Sequence, residues 1–218
     1  MDDRQYLLSL ISEGEHQQQD FKYRVSDASR LARSVSAFAN TDGGRLLIGV
    51  SDDGKLSGVH DEEEIYMVHQ AAYRYCRPEA SIKFDTYHVA STNPVYGVHK
   101  LRTIVVATIP PSDHRPVYAI SNDGKSRAYV RVADENIAAS PVHLAVWRES
   151  QKLQGTMMTY TDSVRKILDA LQDQRLSLNL IVRRSQIPRQ KVITLLARLI
   201  HFRVVHFEFC NQQFVFSL

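Results

Sequence analysis

The residues with the clearest chemical potential alternate along one short segment: Arg127, Tyr129 and Arg131. Side chains two positions apart point to the same face of a β-strand, so a strand here presents two guanidinium groups with an aromatic ring between them. Guanidinium groups bind phosphate oxygens, and an aromatic ring can stack on a nucleobase. The segment predicts either a surface for nucleic acid, which Lys22 and Arg24 would extend, or an exposed strand face with ordinary cross-strand pairs.

A second set of basic and polar residues lies near the C-terminal end of the sequence, on a segment with helical periodicity. Its apolar residues recur three and four positions apart and define an inner face: Val192, Leu195, Leu196 and Leu199. The residues expected on its outer face, at its start or just before it are Arg183, Arg184, Arg189, Gln190, Lys191, Thr194 and Arg198. Arginine and glutamine can read base edges in a DNA major groove, and the remaining cations can contact phosphates. Such helices also serve in protein–protein contacts and in dimerisation, which is the alternative reading.

Helices and strands are interspersed in residues 1–154, the part of the chain that must position Arg127, Tyr129 and Arg131. Helical spacing predicts a short helix within residues 1–20, a helix capped by Ser26 or Asp27 that ends near Asn40, one from about Asp61, and one from Ser140 to about residue 153. Alternating or continuous apolar runs predict strands at 20–25, 46–50, 82–89, 101–109, 117–120 and 128–132, and residues 55–59 are expected to return as a hairpin partner of 46–50. Asn93-Pro94 separates the third and fourth of these strands.

The pattern changes after a plausible linker at Gln154, Gly155 and Thr156. Three helical segments at 164–171, 178–184 and 188–199 precede two short strands at 204–209 and 213–218, which join at Asn211. Three helices and a terminal hairpin, in about 60 residues, form the element order of a winged helix. The predicted fold class is therefore α+β: a mixed-sheet domain over residues 1–154, followed by a small winged-helix domain over residues 155–218.

Composition agrees with an ordinary globular protein, because 44% of the 218 residues are apolar and 23% are charged. No apolar run approaches the roughly 18 residues of a membrane span, and the N-terminus lacks the pattern of a secretory signal. We therefore expect a soluble cytoplasmic protein with no membrane partner. The two cysteines, Cys76 and Cys210, are far apart in sequence and are expected to be mostly buried thiols rather than a disulfide or a metal site.

The charge is unevenly distributed along the chain. Residues 1–150 carry 17 Lys and Arg against 20 Asp and Glu, whereas residues 151–218 carry 10 against 4. A basic C-terminal segment on a slightly acidic body is expected where that segment meets phosphates, although basic residues also form solvated surfaces.

One long block of the sequence carries a family resemblance. Residues 14–59 read GEHQQQDFKYRVSDASRLARSVSAFANTDGGRLLIGVSDDGKLSGV, and Tyr129-Val130-Arg131-Val132 and Arg115-Pro116-Val117-Tyr118 follow later. This order resembles the AlbA-like domain of Schlafen proteins, a domain to which DNA binding is ascribed, and the resemblance covers roughly residues 5–140. One departure is Asp20, where that family usually has glutamate.

The resemblance implies a second chemistry as the alternative. In Schlafen proteins with ribonuclease activity three carboxylates hold a divalent metal, and the matching positions here are Glu15, Asp20 and Asp52, with Asp53 as a substitute for Asp52. Carboxylate oxygens suit Mg²⁺ or Mn²⁺. The structural alternative is that Asp20 pairs with a nearby Lys or Arg and that Asp52-Asp53 only forms a turn.

The pairing of an AlbA-like domain with a winged helix resembles that of transcriptional regulators. We therefore expect a DNA-binding regulator that needs no cofactor, with DNA as its partner and RNA as the alternative. A homodimer is expected if two half-sites are read. The alternatives are a Mg²⁺- or Mn²⁺-dependent ribonuclease and a protein-interaction scaffold.

Overall fold

The computed structural model describes residues 2–90, 101–152 and 159–218. It consists of two compact units, Met1–Ala138 and Ala139–Leu218. None of the helices in these ranges combines the length and apolar composition that crossing a bilayer needs. The predicted linker at residues 154–156 lies outside the described residues, as does Asn93-Pro94.

The first unit contains three helices and eight strands within its described residues. In chain order they are α1 Asp3–Ser12, β1 Gln19–Lys22, α2 Ala28–Asn40, β2 Gly44–Ile48, α3 Asp61–Tyr73, β3 Cys76–Arg77, β4 Lys83–Ala90, β5 Leu101–Ile109, β6 Tyr118–Ile120, β7 Ser126–Val132 and β8 Glu135–Ala138. One sheet has the order β1-β2-β5-β4, with β1 and β2 parallel and the other pairs antiparallel. The other has the order β3-β6-β7-β8 and is antiparallel throughout.

Helix α2 connects the two sheets. It begins where Asp27 accepts a hydrogen bond from the backbone N–H of Arg30 at 3.1 Å, the usual way to satisfy a first-turn donor. Its apolar residues recur at helical spacing, and Leu31, Val35 and Phe38 are buried with residues of both sheets in one core cluster. Most of the surface of α2 is covered by neighbouring elements. Its few exposed residues therefore lie on one strip of the helix.

The β1-β2-β5-β4 sheet is covered on its other face by α1. A second apolar cluster joins Leu7 and Leu10 of α1 to Phe21, Leu47 and Ile104 of the sheet. Burial on both faces explains why β2 reads as a continuous apolar run.

The second unit begins before the boundary predicted between residues 154 and 155. Its elements are α4 Pro141–Ser150, α5 Asp162–Leu171, β9 Leu176–Ser177, α6 Leu178–Ser185, α7 Arg189–His201, β10 His206–Cys210 and β11 Gln213–Ser217. Helix α4 belongs to this unit because Val142 is part of its apolar core, beside Ile193 and Leu196 of α7. The three strands pair antiparallel in the order β10-β11-β9.

Most predicted elements are confirmed, and the mixed α+β class is confirmed with them. The hairpin predicted at residues 55–59 is confirmed only beside its turn, where Val50 bridges Leu56 antiparallel and the N–H of Ser51 donates to the carbonyl of Lys55 at 3.1 Å. The segment does not continue as a strand beside residues 46–48, and Val59 bridges Thr103 instead. Gly49 explains the break, because its φ of +96° turns the chain out of the strand and a β-carbon there would lie 2.9 Å from Ile104. The expected burial of both thiols is half right, since Cys76 is buried and Cys210 is exposed.

Candidate nucleic-acid interface

Two neighbouring clefts lie along the exposed strip of α2. The first, of about 610 Å³, runs between the start of α2 and β8, and its basic lining residues are Lys22, Arg24, Arg30 and Arg33. The second, of about 910 Å³, runs between α2 and the β6–β7 turn, and its basic lining residues are Arg30, Arg33, Lys125 and Arg127. Tyr129 and Asp27 line both. We call these two cavities the basic clefts.

The cations of the basic clefts differ in how far they are already neutralised. Lys22 bonds Asp20 at 2.7 Å, and Lys125 bonds Asp123 at 2.6 Å. In contrast, four arginines have no carboxylate at ion-pair distance within the described residues, and all four are exposed: Arg24, Arg30, Arg33 and Arg127. The carboxylate that the two clefts share, Asp27, caps α2. The clefts therefore present unpaired guanidinium groups to solvent, which suits a polyanion.

The predicted strand face is confirmed for two of its three residues, Arg127 and Tyr129. Both lie on β7 and line the second cleft, and Tyr129 is half-buried between the clefts. It packs against the core cluster and lines both clefts together with the unpaired arginines, a set of residues that can bind phosphates and stack on a base.

Arg131, predicted on the same surface, is buried instead. Its exposure is only 2%, and its guanidinium group lies 5.1 Å from the centre of the Phe38 ring. Nη2 donates to the carbonyl of Gln19 at 3.2 Å, and Nη1 donates to the side chain of Asn136 at 3.0 Å. The strand alternation is right, but residues 16–19 cover this end of the strand face. Arg131 is thus a structural cation that ties β1 to the second sheet.

The glutamines at the start of β1 and just before it strengthen this junction. Gln17 accepts from the backbone N–H of Ala133 at 2.9 Å and donates to the carbonyl of Arg131 at 2.9 Å. Gln19 donates to the carbonyls of Leu10 and Gly14 at 2.7 Å each. The three-glutamine run thus satisfies backbone groups at a bend, a role that composition alone did not indicate.

The helix-end motif after α2 also has a structural role. Asn40 is 3% exposed, accepts from the N–H of Val117 at 2.8 Å, and donates to the carbonyls of Val117 and Tyr129 at 2.8 and 2.9 Å. A β-carbon on Gly44 would lie 2.3 Å from the Phe38 ring, so only glycine fits there. These contacts fix α2 against β7, and thereby fix the arginines of α2 opposite Tyr129.

Two of the three carboxylates predicted to hold a metal come together. Glu15 and Asp20 share a hydrogen bond, and burial together with that bond raises the pKa of Glu15. Glu15 also accepts from the backbone N–H of Phe21 at 2.8 Å. Asp20 is 5% exposed and lies 2.7 Å from Lys22 and 3.7 Å from Arg131.

This arrangement does not fit a divalent metal ion. Two cations already balance the two carboxylates, so no negative charge remains to offset the loss of an ion's hydration shell. Asp52 lies exposed in the turn after β2, where Asp53 pairs with Lys55 and that bond lowers the pKa of Asp53 to about 2. Across residues 2–90, 101–152 and 159–218, no group of three His, Cys, Asp or Glu side chains is arranged to hold a metal. The structural alternative stated above therefore describes these residues: Asp20 pairs with a lysine and an arginine, and Asp52-Asp53 forms a turn.

In the second unit, the start of α7 presents the predicted polar residues to solvent. Arg189, Gln190 and Lys191 are exposed, and Thr194 is half-buried with its hydroxyl donating to the carbonyl of Gln190 at 3.1 Å. Arg189 donates to the side chain of Asn179 on α6 at 2.6 Å. Just before them, Arg183 and Arg184 are exposed at the end of α6, and Arg184 bonds Gln174.

Arg198 differs from the rest of this set. Its Nε lies 3.7 Å from Glu149 of α4, a carboxylate that is 7% exposed and that also accepts from Lys152 at 2.7 Å. Helix α4 packs along α7 in the same core cluster, so it covers the flank toward which Arg198 turns. Arg198 is therefore held within the unit, and the outer face of α7 is shorter than the helical period suggested.

Sequence reasoning missed Arg30 and Arg33, the two arginines that line both basic clefts. The signal was present: they are three positions apart on a helix whose inner face is defined by Leu31, Val35 and Phe38. What the sequence did not reveal is that β7, about 100 positions later, brings Tyr129 opposite them.

Comparison with known proteins identifies the family of this chain. The family model described as Schlafen, AlbA_2 matches residues 15–140, and the chain belongs to this family. The family is associated with nucleic-acid binding. No curated protein matches the chain. Among solved structures, the DIP2311 protein from Corynebacterium diphtheriae is 20% identical with a TM-score of 0.40, over 78% of this chain and 35% of that protein. The chain thus spans about a third of that protein's length.

Proposed function

We propose that this protein binds DNA and acts in the regulation of transcription, with the basic clefts of the first unit as its primary phosphate-binding surface. The observation that carries the proposal is the set of four unpaired, exposed arginines around Tyr129: Arg24, Arg30, Arg33 and Arg127. Exposed cations without partners attract a polyanion and release its counterions on binding. Membership of a family associated with nucleic acid supports this assignment.

We infer that the second unit is a winged helix. The order α5, β9, α6, α7, β10, β11 and the antiparallel sheet β10-β11-β9 support this inference, because it is the element order of that fold. In this proposal α7 enters the major groove. Gln190 and Thr194 face base edges, while Arg189, Lys191 and the arginines at the end of α6 contact phosphates.

A homodimer is part of the same proposal, since winged-helix regulators read two half-sites about one helical turn apart. Light scattering coupled to gel filtration measures the mass directly. A mass equal to one chain, with and without DNA, would remove the dimer from the proposal and leave DNA binding intact.

The test is a salt titration of binding to fluorescein-labelled duplex DNA, measured by anisotropy in EDTA. For the wild-type protein, log Kd should rise linearly with log salt concentration. The double variant Arg30→Ala/Arg33→Ala should weaken binding at every sequence and flatten the slope by about 2, roughly one for each lost phosphate contact.

The matched control is Lys55→Ala/Lys83→Ala, which removes the same charge from the same unit. Both lysines are exposed and bond their own aspartates outside the basic clefts. This control should leave the salt slope within error of the wild-type value. Equal effects of the two double variants would reduce the interaction to net charge and remove the clefts from the proposal.

The two alternatives are tested beside this assay, with labelled RNA as a second probe and with Mn²⁺ in place of EDTA. Absence of salt-dependent binding to duplex DNA and RNA would favour a protein-interaction scaffold. Cleavage of RNA in Mn²⁺ that is lost in Asp20→Asn would favour a ribonuclease, contrary to the donor set described above.

A further inference from the structure

A third cleft continues the basic clefts onto the surface of α3. Its volume is about 430 Å³, and it shares Ser26 and Asp27 with the first cleft and Asp27 and Asn122 with the second. On its far side lie Tyr66 and Arg74. The three cavities therefore meet around the start of α2 and form one continuous concave path.

The residues at the far side of this path have no structural task that explains their exposure. Tyr66 is 61% exposed, although tyrosine buries a large apolar ring when it can. Arg74 is exposed, lies 5.7 Å from the ring centre of Tyr75, and has no carboxylate at ion-pair distance within the described parts of the chain. Tyr66 and Arg74, the latter at the C-cap of α3, lie about two helical turns apart and line the same cleft, so the cleft offers one exposed ring and one unpaired guanidinium group, as the second cleft does with Tyr129 and Arg127.

The shape of the path decides which form of nucleic acid it suits. A double helix is read by a convex element that enters a groove, with its bases stacked inside. Separate cavities with an aromatic ring at two points and arginines between them instead suit a strand whose bases are unpaired and stack on side chains.

We propose that the first unit binds a single nucleic-acid strand along the three clefts, and that Tyr66 and Arg74 form the far subsite of this path. The proposal rests on the proposed function, since it names the form of nucleic acid that the basic clefts take. Tyr66 stacks on one base, Arg74 contacts a phosphate of the same strand, and Arg30 and Arg33 hold the strand where the clefts meet. A duplex contacts Arg30 and Arg33 through its backbone phosphates alone, and its bases are read by α7 of the second unit.

The test compares a labelled oligothymidine of about 12 nucleotides, one of about 4, and a duplex, each titrated in EDTA with the full chain. Tyr66→Ala should weaken binding of the longer strand by about 5- to 100-fold, the range for loss of one stacked base. Tyr66→Phe, which keeps the ring, should bind as the wild-type protein does. Arg74→Ala should weaken the longer strand and reduce its salt slope by about 0.7.

The matched control is Tyr160→Ala, because Tyr160 is 69% exposed and lies in the second unit. It should leave all three affinities unchanged. Binding of the 4-nucleotide strand and of the duplex should be insensitive to Tyr66→Ala, since neither needs the far subsite. Oligouridine of the longer length, titrated in parallel, shows whether the strand is DNA or RNA.

The outcomes separate the two proposals. If the longer strand binds, and weakens in Arg30→Ala/Arg33→Ala but not in Tyr66→Ala or Arg74→Ala, the far subsite is wrong and the function stands. If Tyr66→Ala weakens binding of the duplex and of the single strand equally, the far subsite is also wrong and the proposed function again stands. If neither form of nucleic acid binds the wild-type protein, both proposals fail.

Discussion

The guanidinium group of Arg131 lies 3.7 Å from the carboxylate of Asp20, and both side chains are almost completely buried. Arg131 comes from β7 and Asp20 from β1, so this ion pair joins the two sheets of the first unit. The Phe38 ring beneath the guanidinium group adds a cation–π contact. The pair therefore belongs to the framework that supports the basic clefts rather than to their surface.

Arg131→Met should destabilise the first unit by on the order of 3 kcal/mol, because it leaves the carboxylate of Asp20 buried with only Lys22 beside it. Urea denaturation followed by circular dichroism measures the loss. The double variant Asp20→Asn/Arg131→Met should recover part of it, since no buried charge is then left without its partner. Additive losses would show that the two residues act independently.

Asn40→Ala should cost about 3 kcal/mol in the free energy of unfolding, because it leaves the buried N–H of Val117 without its acceptor and removes a donor from the carbonyls of Val117 and Tyr129, of which that of Val117 keeps the Ser36 hydroxyl. Asn40→Asp should be no better, since a carboxylate cannot donate to those carbonyls. Asn122→Ala, in an exposed turn, is the control and should change stability by less than about 0.5 kcal/mol. A comparable loss in the control would contradict this role of Asn40.

His143 should make the second unit sensitive to acid. Burial among aromatic rings lowers the pKa of His143 from its usual 6.5 to about 4. Between those values the unfolded chain binds a proton that the folded chain does not, so stability falls as the pH drops from about 6.5 to 4 and then levels off. The full loss is about 3 kcal/mol.

The single tryptophan provides a local probe for this measurement, since Trp147 lies on α4 with its ring 5.8 Å from that of His143. Urea titrations followed by its fluorescence at pH 7 and pH 5 should differ in the wild-type protein. His143→Asn cannot titrate but keeps an acceptor for the backbone N–H of Ser140, which His143 Nδ1 accepts at 3.2 Å. This variant should show a smaller difference; an unchanged difference would assign the acid sensitivity to other groups.

Removal of the Arg198 side chain should have little effect on duplex binding, because Glu149 already holds it. Arg198→Ala should therefore keep the wild-type salt slope, whereas Arg189→Ala/Lys191→Ala should flatten it by about 2. Glu149→Gln removes the holding charge and should steepen the slope by about 1. Loss of affinity in Arg198→Ala equal to that of the double variant would place Arg198 in the interface after all.

The sequence predicts the helices of this protein well because each carries its own periodicity and cap. The end of α2 at Asn40 and the inner face of α7 need no distant information. Three short strands, β3, β8 and β9, escape prediction because two to four residues are too few to display a period. The hairpin predicted for residues 55–59 stops at Gly49, whose positive φ is visible only in the structure.

The candidate interface was only partly predictable, because contacts between residues distant in sequence decide which side chains are exposed. The alternation of Arg127, Tyr129 and Arg131 places them correctly on one strand face, but residues 16–19, more than 110 positions earlier, decide that Arg131 is covered. Likewise, the packing of α4 decides that Arg198 is held. Periodicity assigns a side chain to a face, and only tertiary contacts determine whether that face meets solvent.

Strand β7 therefore carries two kinds of position within five residues. Arg127 lines a cleft without a partner and Arg131 holds two sheets together, while Tyr129 lies between them. Under the proposed function, substitution of Arg127 is expected to change what the surface binds without disturbing the interior, whereas substitution of Arg131 is expected to weaken the junction of the two sheets. Residue 127 is therefore the place to begin a redesign of specificity.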